Sequence, residues 1–192
     1  ALMTKARLVI LASGNGSIAQ SIIDAVASNV LDAQVIGLIC DRDGARVLER
    51  AKSAGISQFL LPMKPDRKIW DREVINTLEK LSPDLVVSAG FMRILSAECV
   101  ARFRIVNSHP ALLPLFPGAH AVRDALAAGA KETGTTIHWV DSGVDTGEII
   151  AQETVAINGS DTEEILHERI KIVEGKLFVA TLQSLLADHV RS

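Results

Sequence analysis

The chain has 192 residues, close to one domain at roughly 150 residues per domain, and its 48% hydrophobic and 22% charged content excludes a disordered polymer. Twenty Lys+Arg against 23 Asp+Glu give a net charge of −3, which argues against a nucleic-acid-binding surface. No apolar stretch approaches the ~20 residues of a membrane span, residues 8–12 are too short for the roughly 7–15-residue core of a secretory signal, and two cysteines, Cys40 and Cys99, form neither a disulfide framework nor a zinc motif, so a reducing, cytoplasmic setting with Cys40 as a buried free thiol is expected.

Leu8-Val9-Ile10-Leu11 is a continuous apolar run ending at Ser13-Gly14-Asn15-Gly16, the pattern of a strand buried on both faces. Ser17 is expected to cap the helix that follows, in which Ile18, Ile22, Ala25 and Val26 recur at helical spacing. Residues 35–40 read as a second strand ending at Asp41, and residues 45–54 as a helix stopped by Gly55. Phe59-Leu60-Leu61 is a short third strand, and residues 66–81 form a helix that must end before Pro83. Residues 84–88 are a fourth strand. Beyond it the pattern is less regular: a strand over 104–107, a Pro/Gly-rich loop over 110–119, strands over 135–140 and 148–155, and a long helix over about 162–187 with Leu166, Ile170, Val173 and Leu177 as its apolar stripe. Strands alternating with helices predict one α/β domain on a parallel sheet.

Ligands of such sheets bind outside the carboxyl ends of the strands, and the polar punctuation falls there. Gly14-Asn15-Gly16-Ser17-Ile18-Ala19 fits G-x-G-x-x-G/A, with Asp41 following near the end of the second strand, a formal match to a dinucleotide fingerprint. Glycines that let the backbone approach a phosphate, and a helix N-terminus with free N–H groups, suit any phosphate, and a plain tight turn would leave the same trace. Asn107 and His109 alternate onto one side of their strand. Asp141-Ser142-Gly143-Val144-Asp145-Thr146-Gly147 reads as a loop that positions a carboxylate. Together they suit acyl transfer: an amide can donate to an oxyanion, a histidine can move protons near neutral pH, and a carboxylate can orient it and favour its charged form. No G-x-S-x-G nucleophile elbow is present, so the attacking group should belong to the substrate. His109, His120 and His138 lack compact metal-ligand spacing and no metal is expected; for His138 a structural and a catalytic role stay open.

Five segments in this order resemble the phosphoribosylglycinamide formyltransferase family: Ala12-Ser13-Gly14-Asn15-Gly16-Ser17; Ala89-Gly90-Phe91-Met92-Arg93-Ile94-Leu95-Ser96; Asn107-Ser108-His109-Pro110-Ala111-Leu112-Leu113-Pro114 with Phe116-Pro117-Gly118; Gly134-Thr135-Thr136-Ile137-His138-Trp139-Val140; and Asp145-Thr146-Gly147. The resemblance implies a single-domain, Rossmann-like, open and mostly parallel sheet with helices on both faces. Residues 1–100 would form the nucleotide- and phosphate-binding half, and 101–192 the catalytic and folate-binding half. It implies formyl transfer from 10-formyltetrahydrofolate, the co-substrate, to the amine of glycinamide ribonucleotide in purine synthesis. Asn107, His109 and Asp145 would be the catalytic trio. Gly14, Asn15, Gly16 and Ser17 would hold the ribonucleotide phosphate and Glu174 the ribose hydroxyls. Arg67, Met92, Arg93, Ile94, Leu95, Asp141 and Val144, with Asn107 and Asp145, would form the folate site. The partners implied are small molecules, with no nucleic acid and no membrane; monomer and homodimer both stay open.

The chain departs from the family at Ile18-Ala19, where Asn-Leu is common, at Leu115, where a basic residue is common, and at Lys171, which replaces a neutral polar residue near the ribose acid. It also stops soon after the last helix, where relatives carry a tail expected to be dispensable for chemistry. A formyltetrahydrofolate hydrolase and a methionyl-tRNA formyltransferase share the trio but resemble longer chains with an added domain. A nucleotide-binding module using only the glycine loop and an NAD-dependent reductase are the alternatives of other classes.

Overall fold

The computed structural model describes residues 4–191; Ala1, Leu2 and Met3 of the opening segment and Ser192 lie outside them. The first apolar run extends over β1 (Ala6–Ala12), where Leu8, Val9, Ile10 and Leu11 are fully buried, each contributing about 1.5–3 kcal/mol by leaving water. β1 leads into α1 (Ser17–Ala27), β2 (Ala33–Cys40), α2 (Arg46–Ser53), β3 (Gln58–Leu60), α3 (Arg67–Leu81) and β4 (Leu85–Ser88). The chain continues through α4 (Ala97–Arg102), β5 (Ile105–His109), α5 (Ala121–Ala127), β6 (Glu132–Trp139), β7 (Ile149–Ala156) and α6 (Glu163–Arg191).

The seven strands form one sheet in the order β3-β2-β1-β4-β5-β6-β7, parallel from β3 to β5 and antiparallel at β5/β6 and β6/β7. Because both faces of β1 are covered, its alternate residues feed two cores. Leu8 and Ile10 join Ile18, Ile22, Phe178 and Leu182 on the α1/α6 side; Val9 and Leu11 join Trp70, Val74, Leu78 and Cys99 on the α3/α4 side. Chain order reverses between β1 and β4, so their carboxyl ends part and open a crevice.

Some local outcomes differ from the sequence reading. Ser17 does not cap α1: it is the first helical residue, and Gly16, in the left-handed region at φ 80°, is the N-cap without a side-chain hydrogen bond. The helices α4 and α5, of six and seven residues, carry too few turns to show a periodicity. β6 starts at Glu132 rather than 135, since Thr133, Gly134, Thr135 and Thr136 are buried on both faces and show no alternation. α1 and α6 lie so close that a Cβ at Gly175 would stand 2.7 Å from the Ser21 hydroxyl.

Candidate active site

The crevice is a cavity of about 560 Å³, within the usual size of a small-molecule site. It is lined from both the 1–100 and 101–192 stretches: by Ser13 to Ile18 after β1, by Ser88 to Leu95 after β4, by Asn107 to Pro110 on and after β5, by the 140–147 loop, and by His167, Lys171 and Glu174 on α6.

At the α1 end, the absence of a side-chain cap leaves backbone N–H groups of the first turn facing outward, with no acidic residue among them. Arg50 of α2 grips this loop from behind. Its Nε donates to the Asn15 carbonyl at 2.7 Å and its Nη2 to Asn15 Oδ1 at 2.7 Å, so the Asn15 amide nitrogen is left for the cavity. Val47 N–H adds a bond to the Gly14 carbonyl at 3.1 Å. A Cβ on Gly16 would meet Val47 Cγ2 at 2.4 Å. Gly16→Ala is therefore expected to suffer both that clash and about 1–2 kcal/mol of left-handed strain, lowering Tm in thermal unfolding by at least about 2–4 °C.

His167, Lys171 and Glu174 recur at i, i+4 and i+7 on one face of α6, a spacing that the sequence reading did not use. Burial pushes the Glu174 carboxyl up to about 7, with the Ser108 hydroxyl and the Lys171 ammonium pulling it back in part. Burial, and then Lys171, hold the His167 imidazole below its usual value. The folded protein keeps the Glu174 proton to about pH 7, whereas the unfolded chain releases it near the ordinary value of 4.5. The folded state thus binds more protons across that window, and stability falls as pH rises through it. Glu174→Gln removes this loss. Urea unfolding at about pH 5 and about pH 8 should show the variant gaining stability over the parent at the higher pH.

At the other end, Asn107 and His138 are directly opposite across the β5/β6 pair. His138 Nδ1 faces the Trp139 carbonyl at 2.9 Å, which fixes a proton there and makes Nε2 the acceptor for Asn107 Nδ2 at 3.1 Å. His138 is thereby the buried partner that holds the Asn107 amide, whose second amide hydrogen remains for the cavity. His109, 4% exposed, has Nε2 at 2.8 Å from the Phe116 carbonyl and Nδ1 at 3.5 Å from Asp145 Oδ2. Both ring nitrogens face acceptors, and only the doubly protonated ring donates to both. Asp145 Oδ2 also accepts the Gly118 N–H at 2.8 Å, and Oδ1 lies 3.8 Å from His138 Nε2. Phe116 and Asp145 are both non-glycine residues at positive φ, 52° and 55°, a strained backbone that the surrounding contacts hold in place around His109.

The third side of the cavity is apolar. Met92, Ile94 and Val144 are 54%, 58% and 48% exposed along it, a concentration of wet apolar surface that fits a flat ligand. Asp141 folds the loop that carries Val144: its Oδ1 accepts Thr146 Oγ1 at 2.7 Å and Gly143 N at 2.9 Å, and these two bonds hold its carboxyl below the ordinary range. Arg93 and Leu95 line the cavity and Arg67 does not. The Arg67 guanidinium lies over the Trp70 ring at 4.8 Å and donates to the Ile94 carbonyl, so it reaches this wall through the backbone. Among the described residues no group of three or more His, Cys, Asp or Glu could hold a metal, and no helix is long and apolar enough to cross a membrane.

The profile of the formyl transferase family matches residues 6–182. A phosphoribosylglycinamide formyltransferase of Mycobacterium tuberculosis is 48% identical over 188 residues, covering 96% of this chain and 86% of its own. Among solved structures, glycinamide ribonucleotide transformylase 1 of Symbiobacterium toebii aligns with a TM-score of 0.92 at 36% identity over 96% of this chain and 89% of its own. The phosphoribosylglycinamide formyltransferase of Bacillus halodurans aligns with a TM-score of 0.90 at 44% identity over 94% and 95%. The chain belongs to the phosphoribosylglycinamide formyltransferases.

Membership in this formyl transferase family separates the readings that the glycine loop left open. The dinucleotide reading needs Asp41 free to meet a ribose, and here its carboxylate is buried and bonded to Arg93 at 2.7 Å. Hydrolysis and a bare nucleotide-binding module are not favoured, since relatives that match across the chain, those of Mycobacterium tuberculosis and Bacillus subtilis among them, are named as phosphoribosylglycinamide formyltransferases. Lys171, a departure from the family pattern, lines the cavity on the Glu174 face and binds Glu168 Oε1 at 3.1 Å. Leu115, another departure, is 57% exposed.

Proposed function

We propose that this enzyme moves a formyl group from 10-formyltetrahydrofolate to the amine of glycinamide ribonucleotide, with Asn107, His109 and Asp145 as its catalytic residues. The observation that carries this reading is the convergence of that trio on one end of a cavity whose other end is an uncapped helix N-terminus. The phosphate sits on Gly14, Asn15, Gly16 and Ser17, which offer N–H donors and positive potential. Glu174 accepts from the ribose hydroxyls. The folate lies between residues 92–95 and 141–145, its ring against Met92, Ile94 and Val144, with Arg93, Leu95 and Asp141 bounding the slot and Arg67 supporting it through Ile94. The 1–100 half thus supplies the phosphate cradle and one folate wall, and the 101–192 half the chemistry and the ribose acid.

The ribonucleotide amine attacks the formyl carbon, forming a C–N bond and a tetrahedral oxyanion. Asn107 Nδ2 donates its free hydrogen to that oxyanion. His109 joins it by exchanging the Phe116 carbonyl for the oxyanion at Nε2 while Asp145 holds Nδ1. Collapse breaks the bond to the folate nitrogen, and the proton lost by the amine reaches that nitrogen with Asp145 assisting. The products are formylated ribonucleotide and tetrahydrofolate. The two unbridged cysteines, both buried with thiols that burial pushes up, Cys99 to about 12, suit a reducing cytoplasm.

The test mixes the protein with a 10-formyl folate, with and without glycinamide ribonucleotide, and follows deformylated folate by absorbance. Release only with the ribonucleotide supports the transferase. Release in both tubes makes the protein a hydrolase, and silence in both, from folded protein, removes the reading.

A further inference from the structure

The wall formed by residues 90–95 has no regular secondary structure, yet its residues are tethered to the carboxyl ends of β1 and β2 and to α3. The Gly90 carbonyl accepts Ser13 N–H at 3.2 Å, Met92 N–H donates to Ser13 Oγ at 2.8 Å, Arg93 Nε donates to Asp41 Oδ2 at 2.7 Å, and the Ile94 carbonyl accepts Arg67. Phe91 stacks on Trp70 with centroids 6.2 Å apart. Of the four polar tethers, three are neutral, end on backbone or are exposed. The fourth is an ion pair whose carboxylate is 0% exposed and whose other oxygen, Oδ1, is buried without a hydrogen-bond partner among the described residues. A buried carboxylate in that state depends on its one cation, and the cation on it.

Asp41 stands at the end of β2, two strands from β4, and does not line the cavity. Arg93 does line it and keeps its side chain 35% exposed. We infer that Asp41 is a positioning residue for the folate side of the cavity: it fixes the Arg93 guanidinium and through it the course of residues 91–95. The pair also cancels the charge of Arg93 at the sheet edge, so this wall presents apolar side chains and backbone groups rather than a free cation. An anionic ribose phosphate is thereby directed to the glycine loop. The substrate assignment rests on the proposed function, whereas the anchoring of the loop does not.

The variants are Asp41→Asn, nearly isosteric, and Arg93→Gln, which breaks the same contact from the exposed side. Hydrogen exchange of the amides of residues 91–95 should quicken in both, with β1 and β4 unchanged; unchanged exchange in that loop overturns the anchoring. In steady-state kinetics Asp41→Asn should raise KM for the formyl folate by about tenfold, the order of one charge-assisted hydrogen bond, and leave KM for the ribonucleotide in place. Equal rises in both KM values overturn the folate-side role. The double variant should show no further loss over Arg93→Gln alone; additive losses mean that Asp41 does not act through Arg93. If the parent transfers no formyl group, the proposed function falls and the exchange measurement alone decides the anchoring.

Discussion

Asn107→Ala is expected to lower kcat by about 10²–10³, or about 2.7–4 kcal/mol of transition-state stabilisation, with little change in either KM. One amide hydrogen of Asn107 is committed to His138 Nε2 at 3.1 Å, which leaves the other for the oxyanion of the proposed mechanism. The donor is preorganised, so it costs no reorientation when charge develops. The substitution strands His138 Nε2 at the cavity edge, where solvent can replace the lost donor, so the protein should still fold and melt cooperatively. Asn107→Asp makes a sharper comparison: the shape is kept, but the ionised group only accepts, and it opposes the oxyanion. Its kcat should fall below that of the alanine variant. Measurement needs saturating concentrations of both substrates, and a near-normal kcat for Asn107→Ala would remove the residue from the mechanism.

The second large effect belongs to Asp145. Asp145→Asn keeps a carbonyl oxygen able to accept the Gly118 N–H, and asparagine tolerates the left-handed backbone that position 145 requires. The loop should therefore survive while the charge is lost. His109 Nδ1 then faces a neutral amide in place of a carboxylate at 3.5 Å. The imidazolium form loses its counter-charge, and the proton path to the folate nitrogen loses its assistant. A fall in kcat of about 10²–10⁴ is expected, the range of general acid–base assistance, with KM for both substrates changed far less. A large rise in KM at near-normal kcat would make Asp145 a binding residue instead.

Where burial pattern and turn chemistry agreed, the fold was readable in advance. Buried strands such as β1 and β2 show as unbroken apolar runs, Gly55 follows α2 at φ 72° where a left-handed residue ends it, and Pro83 closes α3. Helices too short for a period, α4 and α5, left no such trace. That Asn107, His109 and Asp145 come together was legible because Asn107 and His109 share a strand face and Asp145 sits in a glycine-bounded loop. The role of His138 was not, because it depends on the antiparallel register that sets it opposite Asn107, and register is long-range information. The grip of Arg50 on Asn15 and the bond of Asp41 to Arg93 escaped for a related reason: each is made to a loop far away in sequence. Lys171 and His167, by contrast, were recoverable from their spacing to Glu174 on one helix.

The close packing of Gly175 against Ser21 gives the α1/α6 groove the character of a gauge. One jaw is the glycine loop at the start of α1, the other is Glu174, and the residue next to Glu174 in the chain sets how near the jaws stand. A ribose bearing a 5-phosphate has a set span between its phosphate and its hydroxyls. A side chain at position 175 would press on the Ser21 hydroxyl and, wherever that hydroxyl had no room to turn aside, would shift the helices and the span between the jaws. On the proposed phosphate and ribose assignments, the fit of the acceptor would thus be tuned at a helix pair. The formyl-transferring end could stay as it is while evolution or engineering recalibrates the groove for a longer or shorter amine.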